Sequence, residues 1–125
     1  MDNFKKMVFL ATMLCTSTVV LAAKPQMPKQ FLGNWAQSKA SCTIPKDSPI
    51  DYPESGAKIK SDGIERYEYW CGLTSITKST KQSITANFTC SSEGEEEAKK
   101  HTLSISTEGK LLGLSETALV RCKSR

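Results

Sequence analysis

Four cysteines, Cys42, Cys71, Cys90 and Cys122, stand at wide spacings in a chain of 125 residues, and they constrain what it can fold into more than any other feature. In a short exported chain an even set of cysteines reads as a disulfide framework, because a small domain has too much surface for its interior. The start of the chain supplies the export context. Lys5 and Lys6 precede an apolar stretch from Met7 to Leu21, and Ala22-Ala23 stand before Lys24 and Pro25, the order of a signal peptide. Thr12, Thr16, Ser17 and Thr18 interrupt the stretch, which leaves it short of the roughly 20 apolar residues that a membrane span needs. The fifth cysteine, Cys15, follows Leu14 and not a small residue, so lipid attachment is not expected and Cys15 is expected to leave with residues 1–23.

Cleavage after Ala23 keeps 102 of the 125 residues and, with Asp2, Lys5 and Lys6 gone, takes the formal charge from +4 to +3. So mild and diffuse a charge leaves no footprint for nucleic acid. The mature chain is expected to be periplasmic or secreted, without a membrane span, and monomeric. A flexible N-terminal arm is expected over 24–30, where Pro25 and Pro28 stand without periodicity, and a single domain over 31–125.

The apolar residues of that domain alternate. Ile84, Ala86, Phe88 and Cys90 share one face of a strand while Thr85, Asn87 and Thr89 share the other, the pattern of a half-buried strand. Tyr67, Tyr69, Cys71 and Leu73 repeat it, as do Leu103 with Ile105, Leu112 with Leu114, and Val120 with Cys122. Short polar segments at 78–81, 92–95 and 107–110 separate these runs, so an antiparallel up-and-down β-barrel is the simplest arrangement.

Folding the chain about residues 79–82 sets Leu73 opposite Phe88 and Cys71 opposite Cys90. The same operation about Gly94-Glu95 sets Ala86 opposite Leu103 and Ile84 opposite Ile105. About Glu108-Gly109 it sets Ile105 opposite Leu112 and Leu103 opposite Leu114. Directly opposed residues on antiparallel strands lie close to disulfide range, which predicts Cys71 with Cys90 and, by elimination, Cys42 with Cys122. The second bridge joins the two ends of the sheet.

Residues that carry chemistry are few. His101 is the only histidine and reads as a structural group near a strand start; no nucleophile elbow accompanies it. The cysteines show no C-x-x-C spacing, so neither metal nor cofactor is expected, and no enzyme. The run Glu93, Glu95, Glu96, Glu97, Lys99, Lys100 reads as a solvated turn, the alternatives being a docking loop for a basic partner or a loose cation site. The stretch 45–56, held off regular structure by Pro45, Pro49 and Pro53, is a candidate binding loop with Ile50 and Tyr52 as apolar contacts. Trp70, expected to point outward with Glu68, Arg66 and Ile64, is either a contact surface or an aromatic covered by long neighbours. Asn87-Phe88-Thr89 fits a glycosylation acceptor and is read as coincidence.

Phe31-Leu32-Gly33-Asn34-Trp35 resembles the F-x-G-x-W that opens lipocalin-like barrels, and is similar to the opening of small periplasmic metalloprotease inhibitors of Gram-negative bacteria. The resemblance implies that Gly33 allows close chain approach, that Trp35 plugs one end of the barrel, and that Arg121 packs across Trp35. It also implies that the loop at 45–56 partly covers the open mouth. The chain departs from lipocalins in its shorter length and from the inhibitors in its second disulfide, and it also resembles short secreted proteobacterial proteins with spaced cysteines.

The expectation is therefore a non-enzymatic binding protein for a protein or cell-envelope component, acting through Ile50, Tyr52 and the arm from Lys24, aided by Trp70. In an inhibitor-like version the arm enters a protease cleft. The alternatives are a small-ligand carrier with a cavity lined by Tyr67, Tyr69 and Phe88, and a structural component of the envelope.

Overall fold

The computed structural model describes residues 24–123, so the expected signal peptide and Cys15 lie outside the described residues. Eight strands follow one another: β1 (Gly33–Ala36), β2 (Ala57–Lys60), β3 (Gly63–Arg66), β4 (Tyr69–Ser79), β5 (Ser83–Ser92), β6 (Glu95–Ile105), β7 (Leu111–Leu112) and β8 (Val120–Arg121). They form one antiparallel sheet in which each strand pairs with its sequence neighbour and β8 returns to β1. A bridge between Leu111 and Leu119 brings the two edges together, and the sheet is a nearly closed up-and-down barrel. Among the described residues no helix is long and apolar enough to cross a membrane.

Alternation accounts for the core. Trp35, Ala57, Ile59, Ile64, Cys71, Ile84, Ala86, Phe88, Cys90 and Leu103 are buried side by side, and removing such apolar surface from water is the main driving force for closure. A barrel this small is filled by its own side chains. Both expected disulfides are present, Cys71–Cys90 and Cys42–Cys122. The β4–β5 register has Cys71 opposite Cys90 and Leu73 opposite Phe88 as expected, then slips by a residue at each of two irregularities nearer the turn.

Other registers differ from expectation. The β5–β6 hairpin reverses at Glu93-Gly94, both at positive φ (50° and 83°), the conformation of a tight hairpin turn. Ile84 therefore faces Leu103 and Ala86 faces His101, a shift of two residues that leaves the faces unchanged. Between β6 and β7 the pairs are Ile105 with Leu111 and Ser104 with Leu112. The loop there, closed by Ser106 N–H to Lys110 O (2.9 Å) and Gly109 N–H to Ser106 O (2.9 Å), is centred on Glu108, which moves the register by one residue. A one-residue slip swaps faces, so Leu111 is buried and Leu112 is 41% exposed. Leu119, and not Val120, is the buried residue before β8.

The chain also reverses between β3 and β4, where one continuous strand is expected from Tyr67. Tyr67 and Glu68 form the turn between β3 and β4, with Arg66 paired to Tyr69 and Glu68 at φ 53°. Tyr67 is therefore half exposed (50%) and not inward, whereas Ile64, opposite Cys71, is buried in the core and not outward. The arm is also shorter than expected. Met27 is buried and its N–H donates to Ser61 O (2.8 Å), and a 3-10 turn at Lys29–Phe31 seats Phe31 in the core. Among the described residues of the arm, 24–26 precede these anchors and are exposed, while burial of two large apolar side chains ties down the rest.

Candidate functional site

The N-terminal segment, β1 and β8 meet around Trp35. Its indole Nε1–H donates to Phe31 O (2.9 Å), and the Arg121 guanidinium lies over the ring at 4.2 Å from its centre. Arg121 also donates to Leu32 O (2.8 Å) and to Gln30 O. Gly33 sits at φ 122°, a backbone shape that side chains disfavour, and a Cβ there would lie in ordinary contact range of the Arg121 Nη1, at 3.6 Å. Arg121 thus clamps three backbone and ring elements that are 86 to 91 residues away in sequence, next to the Cys42–Cys122 bridge.

On the outer side of this wall is a groove of about 840 Å³. Its wall comes from β1 and β2, where Asn34 and Lys58 alternate with the inward Trp35 and Ala57 and so point out. Its roof is the loop after Cys42, with Ile44, Pro45 and Ile50. The roof is held down by Asn34 Nδ2, which donates to Asp51 O (3.0 Å), and by the Lys58–Asp51 ion pair. That pair keeps the Asp51 carboxyl below its usual pKa, the hydrogen bond from Lys58 contributing most. The rim carries Lys46, Lys58, Arg121 and Lys123 against the single acid Asp51. The groove therefore combines apolar patches from Leu32, Ile44 and Ile50 with a net positive rim.

The sequence candidates fall in separate places, Ile50 in this groove and Tyr52 with Trp70 in a second depression of about 450 Å³ beside Glu65, Arg66 and Ser91. Tyr52 is only 5% exposed, with its edge on that second depression, and its burial raises the hydroxyl pKa. Trp70 lies on the outer face of β4 over Gly63, where a Cβ would come within 2.9 Å of the ring, and under Lys60 at 5.4 Å. It is half-buried. Lys24 is exposed at the chain entry. The loop 45–56, expected over the mouth, packs its first part along the outer wall through Asp51.

One cluster is only partly legible in the sequence, which pairs Cys71 with Cys90 but does not bring His101 to them. His101 joins Cys71 and Cys90, their donor atoms within 4.8 Å of one another, because three strands bring them to one face. The two sulfurs are bonded to each other, and a metal ligand is a thiolate. Burial pushes the His101 pKa below its ordinary value, with Lys99 and Arg66 adding to the effect.

In comparison with known proteins, the chain matches no family model, no curated protein and no solved structure.

Proposed function

We propose that the chain is an exported, non-enzymatic binding protein of the periplasm or extracellular space, and that the groove outside β1 and β2 takes an extended acidic segment of a protein or cell-envelope partner. The observation that carries this reading is the pairing of apolar patches from Leu32, Ile44 and Ile50 with a cationic rim along the β1–β2 wall. Apolar contacts supply most of the affinity in such a cleft, and rim charges select and steer an acidic partner. The loop roof is anchored to the wall by Asp51, so the cleft is formed before the partner arrives, which lowers the ordering cost of binding.

Export accords with two disulfides in a small domain, since such bridges persist in oxidising compartments. The resemblance to lipocalin-like barrels is retained for the Gly33, Trp35 and Arg121 arrangement. Carriage of a ligand inside the barrel has less support, because Phe88 is buried in a packed core and Tyr67 points away from it. Among the described residues of the arm, an inhibitor-like action has 24–26 free to enter a cleft.

The test is capture from envelope extract with oxidised mature protein, comparing the wild type with a Lys46→Glu, Lys123→Glu variant. Both lysines are exposed, so the fold should survive. The expected result is a partner bound about tenfold more weakly by the variant, with amide shifts at Ile44, Ile50 and Lys58 on addition of that partner. Equal capture by both proteins, or shifts confined to another face, would overturn the reading.

A further inference from the structure

Strand β6 pairs with β5 along its length, from Ser104 opposite Ser83 to Glu95 opposite Ser92. On its other edge it meets β7 only at Ser104 and Ile105. The chain at Gly113 packs against the next two residues, since a Cβ on Gly113 would lie 2.0 Å from Thr102 O. From Glu95 to His101 that edge has no ladder partner among the described residues. An edge of this kind is a template for another strand.

The side chains on the edge restrict which strand it accepts. Glu95, Glu96, Glu97, Ala98 and Lys100 are exposed, and Lys99 and His101 are half-buried. The run is acidic on one side of Ala98 and basic on the other. Parallel pairing of two copies sets glutamate against glutamate. Antiparallel pairing about a two-fold axis sets one residue opposite its own copy, because opposed residues share a face and the axis preserves faces. If that residue is Glu97 or Lys99, like charges meet at the axis. If it is Ala98, Glu97 faces Lys99, Glu96 faces Lys100 and Glu95 faces His101, with the smallest side chain of the run at the centre. Opposite charges across a strand pair attract and like charges oppose pairing.

We propose that two copies of this chain form a two-fold dimer through edge-to-edge pairing of β6, centred on Ala98, which replaces the monomer expected from sequence. The edge lies on a different strand from the groove-lining β1, β2 and β8, so the dimer stands or falls independently of the proposed binding function. Lys99 is already turned toward the acidic half of the run, with Nζ 4.0 Å from the Glu97 carboxylate and 5.2 Å from the centre of the Tyr69 ring. The contact is small, which places it among weak, reversible associations.

The test is sedimentation equilibrium of oxidised mature protein at up to about 100 µM, with far-UV circular dichroism and non-reducing mass measurement confirming the fold of each variant. The wild type is expected to dimerise at low salt and to dissociate as salt rises to about 0.5 M. Glu96→Lys with Glu97→Lys, and separately Lys99→Glu with Lys100→Glu, should each give monomers. Mixed in equal amounts, the two variants should form a heterodimer, because every reversed pair is then opposite in sign. A wild type that stays monomeric, a reversal variant that dimerises by itself, or a mixture that fails to associate would each overturn the proposal.

Discussion

Between Tyr69 and Ile105 three strands of 10 or 11 residues pair along most of their length, whereas the barrel closes through two register pairs between β8 and β1 and a single bridge between Leu111 and Leu119. The first region is held by local hairpins, the second by groups far apart in sequence. Cys42 reaches Cys122 across 80 residues, and Arg121 spans the same seam. A short ladder gives few backbone bonds to offset ordering the chain, so closure there depends on a covalent link and a side-chain clamp.

The largest effect should separate the two bridges. In the loop-entropy account the Cys42–Cys122 bridge is worth about 4.5 kcal/mol and the Cys71–Cys90 bridge, with a separation of 19, about 3 kcal/mol. Replacing Cys42 and Cys122 by serine should therefore destabilise the domain more than replacing Cys71 by valine and Cys90 by alanine, a pair that keeps most of the buried volume. Urea unfolding of both variants measures the difference. A larger loss at the hairpin bridge would reverse the comparison.

Next in size is Arg121. Arg121→Met keeps an apolar stem over Trp35 but loses both donors to Leu32 and Gln30, and should cost about 2 kcal/mol. Arg121→Lys restores the charge without the planar fork and should recover less than half of that loss. Amide exchange in each variant should rise first at β1 and β8, while β4 to β6 stay protected. Uniform loss of protection would show that the seam and the ladders open together.

The long ladders were the part most readable from sequence, for a reason that the seam makes plain. Period-two alternation over eight or more residues, as in Ile84 to Cys90, specifies a face, and two such runs joined by a short turn specify a register to within the turn geometry. The two-residue difference at β5–β6 comes from the turn alone, and it leaves Ile84, Ala86 and Phe88 inward. In β7 and β8, only two residues each, there is no period to read, so Leu112 and Val120 were placed on the wrong face. The groove was legible in part. Alternation from Trp35 places Asn34 and Lys58 outward, but which loop covers them depends on Asp51, whose contacts with Asn34 and Lys58 cross the β1–β2 connection. The burial of Tyr52 is not legible, because a proline-rich segment carries no periodicity to reveal a buried side.

The ladder region has its own weak point in His101. Burial lowers its pKa in the folded chain, so the unfolded chain takes up the proton more readily. Stability is then full above the ordinary histidine value of about 6.5 and falls as the pH drops toward the lowered folded value. Unfolding midpoints at about pH 7.5 and pH 5.5 should show this decrease, and His101→Gln should flatten it. Lys99 and Arg66 face His101 and oppose its charging, so Lys99→Gln should reduce the slope without abolishing it. An unchanged slope in His101→Gln would locate the acid sensitivity in the seam.

The smallest effect concerns the loop that roofs the groove. Asp51 and Lys58 are an exposed pair, with side-chain exposures of 72% and 29%, and such pairs contribute about 0.5 kcal/mol. The lowered Asp51 pKa means that this contribution is present above about pH 4 and is lost as the pH falls through the folded value. Asp51→Asn should hardly move the unfolding midpoint, since Asn34 still holds the backbone carbonyl at that position. A double-mutant cycle with Lys58→Met isolates the pair, and hydrogen exchange over 43–51 reads its local consequence. Faster exchange in that loop with an unchanged global midpoint is the expected outcome. It would place the pair with groove shape and leave closure to Arg121 and the Cys42–Cys122 bridge, whereas a coupling above about 2 kcal/mol would make the loop a third fastening of the seam.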